Sequence, residues 1–222
     1  MLSIVRIAAA VAASILGGAV LGAGSGCAAP EHTYVANRDN RTYFKVPASW
    51  HEIDEKAFKP AATGASPTPE SDSDWVVAYD ASKEPSPAHL VARDTPDPIV
   101  YVSVQPSQTA AQGRVSLDNL RDLVLPVTPA ARSAAKSSTT FSDFKLVSDS
   151  VLTPKSGLSG VHEVFQYRVG GGPLQTFDQT AYTNKDKSKV YLMLLRCSSE
   201  CYKARQAELE IVTASFTVQE GS

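Results

Sequence analysis

The sequence has no long stretch of charge of either sign: 21 Lys and Arg stand against 23 Asp and Glu over 222 residues, a net charge of −2. Without a basic stripe, nucleic acid and polyanionic lipid are excluded as partners. Cysteine is scarce, with three in the chain. An odd count is awkward in an oxidising compartment, where a leftover thiol needs a role. Familiar catalytic signatures are also missing. The chain beyond its leader has no G-x-S-x-G elbow, no H-E-x-x-H helix and no Walker loop. Internal repeats and heptads are absent too, which removes solenoids and coiled coils.

What is present begins at the amino terminus. Arg6 precedes an apolar run from Ile7 to Ala23 interrupted only by Ser14, the charged and apolar regions of an export signal. The run is mostly Ala and Gly and falls short of the 20 or so strongly apolar residues that a membrane span wants. Cleavage is therefore expected, with residues 1–26 as the signal peptide.

Gly24-Ser25-Gly26-Cys27 closes the run and resembles the lipobox of bacterial lipoproteins. That resemblance implies a diacylglyceryl group on the Cys27 thiol and Cys27 as the new amino terminus. The pattern departs at Gly24, where the family usually has Leu. An ordinary signal peptidase site after Ser25 is the alternative. Anchor assignment leaves Cys197 and Cys201 as a pair. Each buried CH₂ of an acyl chain contributes about 0.8 kcal/mol, so a multiply acylated cysteine keeps the protein on the extracytoplasmic face of the cell membrane.

After the anchor, residues 27–40 read as a lipidated terminus and polar tether, and 41–222 as one domain of ordinary size. Within it the segment 59–74 is rich in Pro, Ser, Thr and Asp and reads as a flexible exposed loop. Apolar patterning predicts strands over Thr42–Val46, around Glu52–Ile53, and over Trp75–Tyr79 and Ile99–Val104. Ser116 caps a helix carrying Leu117, Leu120, Leu123 and Val124 that ends at Pro126, and a weaker helix runs from Pro129 to Ser137. Strands follow over Phe144–Ser150, Val161–Val169, Leu174–Thr183 and Val190–Leu195, an antiparallel meander joined by short turns. A helix over Glu200–Ala214, with Ala204, Ala207 and Ile211 on one stripe, leads into Ser215–Val218. The class is α+β, an antiparallel β-sheet flanked by helices.

The order of elements resembles the PsbP-like fold and, within it, actinobacterial lipoproteins of the LpqN type. The matching pieces are Tyr43-Phe44 through Pro47-Ala48-Ser49-Trp50, the helix after Ser116, the meander with Tyr191, and Ala214-Ser215-Phe216. The resemblance implies an α/β/α sandwich and a non-enzymatic docking or accessory role, and it brings no catalytic residues.

The strongest chemical candidate is Cys197-Ser-Ser-Glu-Cys201, where a strand gives way to a helix. Export favours a disulfide there. A redox-active pair and a copper site remain alternatives, since a helix start depresses a thiol pKa and soft thiolates select copper. Of the four histidines, His32 falls in the tether, His51 and His89 near loops, and His162 in a strand. Ser133-x-x-Lys136, Ser148-Asp149-Ser150 and Lys155-Ser156-Gly157 mimic the penicillin-binding set but crowd into one short segment, and chance explains them. The expectation is a membrane-anchored accessory or binding module without catalytic residues, metal or cofactor. Its partner would be an envelope protein or a small apolar ligand. An envelope hydrolase with an unseen site is the remaining alternative.

Overall fold

A computed structural model of the chain describes residues 30–54, 75–107, 115–136, 140–154 and 157–219. The signal segment, Cys27 and the loop 59–74 lie outside the described residues. Among the described residues no helix is long and apolar enough to cross a membrane.

The strands β1 (His32–Asn37), β2 (Thr42–Pro47), β3 (His51–Ile53), β4 (Trp75–Asp80) and β5 (Ile99–Pro106) come first, followed by α1 (Leu117–Arg121) and α2 (Pro129–Ala134). The meander β6 (Phe141–Leu152), β7 (Ser159–Val169), β8 (Leu174–Thr183) and β9 (Lys189–Ser198) leads to α3 (Ser199–Ala204), α4 (Gln206–Ala214) and β10 (Thr217–Val218). Seven strands form one sheet in the order β3-β4-β5-β9-β8-β7-β6, and β1, β2 and β10 form a second. Every pairing is antiparallel.

The sheet is covered on both sides because its central strand is apolar on both. Tyr191, Met193, Leu195 and Cys197 of β9 pack with Leu209 and Val212 of α4 and with Phe44 and Val46 of the small sheet. On the opposite side Leu192 packs with Leu120 of α1, and Leu194 with Val127, Phe165 and Phe177. This two-sided burial explains why β9 reads as a continuous apolar run rather than an alternating one. The expected α+β class, an antiparallel sheet between helices, describes the molecule.

Three local expectations change. The tether is not featureless: His32–Asn37 pairs along its whole length with β2, from His32 opposite Pro47 to Asn37 opposite Thr42. Its side chains are partly or fully exposed, with Val35 packed against the core, so the backbone ladder does most of the holding, and one packed valine does not make an apolar pattern. The helix expected to run to Pro126 ends at Arg121. Asp122 turns the chain there by accepting hydrogen bonds from the Val127 and Thr128 amides at 2.7 and 2.8 Å. The final helix divides at Arg205, which closes α3 and opens α4 with φ −112°. The break shifts the stripe, so Leu209, Val212 and Thr213 are buried while Ile211 is exposed.

Candidate functional site

Among the described residues, the side of the sheet that carries α3 and α4 is open over β6, β7 and β8. A groove of about 500 Å³ lies there, floored by Ser148, His162, Val164 and Thr180 and walled by Tyr202, Glu210 and Phe216. Register explains the floor. Ser150 stands opposite His162, and His162 opposite Thr180, and residues directly opposite in an antiparallel pair share a face. Val164 stands opposite Asp178 one step along, so the carboxylate falls diagonally beside the imidazole.

Asp178 is buried, at 2% exposure, and both of its oxygens are engaged. Oδ1 lies 2.9 Å from His162 Nε2, and Oδ2 accepts a hydrogen bond from the Tyr202 hydroxyl at 2.7 Å. The bond to Asp178 and its charge raise the His162 pKa above the ordinary imidazole value, with burial opposing. Burial, then the Asp178 charge, drives the Tyr202 phenol far up, so Tyr202 stays a donor. With Nε2–H directed at the carboxylate, the neutral ring presents Nδ1 as an acceptor. Among the described residues Nδ1 has no partner.

The arrangement is two thirds of a nucleophilic triad. A hydroxyl bonded to the ring is what activation requires. Ser150 instead donates to the His162 backbone carbonyl at 3.3 Å. The site as built can therefore recognise a hydrogen-bonding group beside an apolar one, but it holds no activated nucleophile among the described residues.

Cys197 and Cys201 stand at disulfide distance, with Cα atoms 6.0 Å apart. Cys197 is fully buried. The pair joins the end of β9 to the first turn of α3, where the Ser198 hydroxyl also accepts from the Cys201 amide at 3.1 Å. The next residue is Tyr202, the donor that meets Asp178. Of the other histidines, His89 bonds Asp80 at 2.6 Å, His51 is exposed on β3, and His32 begins β1. Among the described residues no three His, Cys, Asp or Glu side chains converge as a metal-binding group. Sequence reasoning missed Asp178 and Tyr202. The available signal was a lone acid inside an otherwise uncharged strand, one alternation step from the register of His162.

A second polar cluster lies on the opposite side of the sheet, beneath α1. Glu163 is fully buried. Its Oε1 accepts from Gln179 Nε2 at 3.0 Å, and the same nitrogen donates to the Leu120 carbonyl at 2.9 Å. Glu163 Oε2 and Gln179 Oε1 have no partner among the described residues. Burial, and secondarily the Asp149 charge, pushes the Glu163 carboxyl up to about 8, so it is mostly neutral at pH 7.

No protein-family model matches the sequence, and no curated protein matches it. Among solved structures the chain is similar to cyanobacterial PsbP (CyanoP) from Synechocystis sp. PCC 6803, with a TM-score of 0.49 and 16% identity over 89% of this chain and 98% of that one. It is similar to LpqN of Mycobacterium tuberculosis, described as involved in cell envelope biogenesis, with a TM-score of 0.44 and 13% identity over 85% and 91%. It is also similar to the Ran-binding protein Mog1p of Saccharomyces cerevisiae, with a TM-score of 0.44 and 8% identity over 84% and 95%. Similarity at this level says nothing about what this chain does.

Proposed function

We propose that the chain is an exported lipoprotein, held on the extracytoplasmic face of the cell membrane by lipid on Cys27. Its domain is a non-catalytic docking module that receives an extended segment of an envelope protein along β6 and the adjoining groove. The export signal and Gly24-Ser25-Gly26-Cys27 support the anchor. One observation carries the docking half. Among the described residues β6 ends the seven-strand order, runs for 12 residues with register shifts between Ser142 and Lys145 and between Leu146 and Ser148, and exposes Leu146, Val147 and Val151 at 45%, 53% and 51%.

Edges are normally blunted or occupied, because free N–H and C=O groups template another strand. The two shifts blunt the first half of β6, and the regular register from Ser148 to Leu152 leaves its second half able to pair. A strand added to β6 would direct alternate side chains to the His162 side of the sheet. Val147 and Ser148 border both the edge and the groove, so backbone pairing would supply affinity and the groove would select the side chain. The test places a photocrosslinker at Val147 in the full-length protein in its own membranes. A single envelope protein captured in an extended segment is the expected product. Capture of a second copy of this chain would replace the envelope partner with self-association.

The His162–Asp178 pair favours a second reading, an envelope hydrolase. Ester or amide turnover abolished by both His162→Gln and Ser148→Ala would establish it over docking.

A further inference from the structure

On the opposite side of the sheet from the His162 groove, a Pro-containing loop folds over the strands and encloses a separate groove of about 470 Å³. That volume lies in the range of small-ligand pockets, about 300–1,000 Å³. Its walls are Leu90, Val91, Ile99, Tyr101 and Leu194, with Arg196 of β9 as the cationic member. Arg196 is 93% buried by its 7% exposure. Its guanidinium donates to the Leu90 carbonyl at 3.2 Å, to the Ala92 carbonyl and to the Thr95 hydroxyl, and it lies over the Phe177 ring. Nε has no acceptor. Among the described residues no carboxylate forms an ion pair with it.

Carbonyl dipoles solvate this cation but do not neutralise it. Buried charges are ordinarily paired, because taking one out of water without a counter-charge is costly. The guanidinium pKa falls to about 10 through burial alone, which fits a cation without an acidic neighbour. The carbonyl bonds explain how Arg196 straps the loop to the sheet. They do not explain why the strap is a full positive charge set against an apolar groove.

We propose that this groove binds an amphipathic anion, a single acyl chain ending in a carboxylate or phosphate, whose head supplies the counter-charge that Arg196 lacks. The aliphatic walls take the chain, and Val91, 81% exposed, marks the mouth. Both Nη2 hydrogens are taken by Ala92 and Thr95, so an oxyanion head of either kind would meet the guanidinium through the remaining Nη1 hydrogen in a charge-assisted bond. This site is independent of β6 and the His162 groove, so either proposal can fail without the other.

The experiment titrates the full chain with palmitate, with hexadecanol as the uncharged match and hexadecyl phosphate as the phosphate-headed one, following bound ligand by calorimetry. Palmitate or hexadecyl phosphate should bind at least tenfold more tightly than the alcohol, and the tighter of the two identifies the head group. Arg196→Gln should erase that preference. Because this variant also loosens the loop, Val91→Asp serves as a second probe: it leaves the strap intact and places a negative charge at the mouth, and it should weaken anion binding at least tenfold. Equal binding of acid and alcohol, no binding of any of the three, or unchanged binding by Val91→Asp would overturn the proposal.

Discussion

Replacing Glu163 with Gln should make the domain more stable, and by an amount that grows with pH. In the folded protein the carboxyl titrates at about 8, against an ordinary value of 4.5. Below the ordinary value the group is neutral in both folded and unfolded chains and contributes no pH dependence. Between the two values the unfolded chain releases the proton and the folded chain keeps it, so stability falls as pH rises, by up to about 1.4 kcal/mol per unit. Above pH 8 both are ionised and the penalty is constant, on the order of 5 kcal/mol if nothing relieves it. That is comparable to the whole stability of an ordinary domain, about 5–15 kcal/mol.

The Gln variant keeps the shape and cannot ionise, and its amide can pair with Gln179, whose Oε1 has no donor among the described residues. His162 complicates the same range. Its pKa is raised, so its stabilisation, present in acid, is lost as pH rises through the folded value. The diagnostic quantity is therefore the difference between the wild-type chain and Glu163→Gln. Urea unfolding at pH 5, 7 and 9 should give a difference of about 1 kcal/mol or less at pH 5 and an advantage of several kcal/mol for the variant at pH 9. Parallel pH profiles would refute the reasoning.

Two further outcomes follow from the sequence and the site. Asp178→Asn should lower the His162 pKa, read from ring resonances by NMR, because the bond and charge that raise it are removed while burial remains. An unchanged titration would mean that Asp178 does not govern the imidazole. Cys27→Ala should release the protein from the membrane fraction with the fold intact, measured by fractionation and circular dichroism; a variant that stays attached contradicts the anchor.

Strands whose apolar pattern reports burial were legible residue by residue, and β7, β8 and β9 extend their expected ranges by at most three residues at an end. What could not be read is what side-chain pattern does not encode. β1 is held chiefly by backbone pairing, with Val35 on the core and Tyr34 78% exposed. The register of α4 depends on a break at Arg205 that no proline or glycine announces. The pairing of Asp178 with His162 needs the β7–β8 register, and a shift of one residue would send either side chain to the other face. Tyr202 joins them because α3 and α4 pack back over the sheet, where Tyr202, Leu209 and Val212 meet the β9 core. His162 was legible as a strand histidine, and its carboxylate partner was not.

The central claim is that β6 and its groove receive a partner strand, and lysines on the edge test it most directly. Val147→Lys with Val151→Lys changes two exposed side chains and leaves the core alone, while charge on an open edge opposes strand addition. Crosslinking of the full-length protein through a probe at Leu146 in native membranes should capture an envelope protein with the wild-type edge and lose at least nine tenths of it with the double variant. Undiminished capture by a folded, membrane-bound double variant would contradict the account.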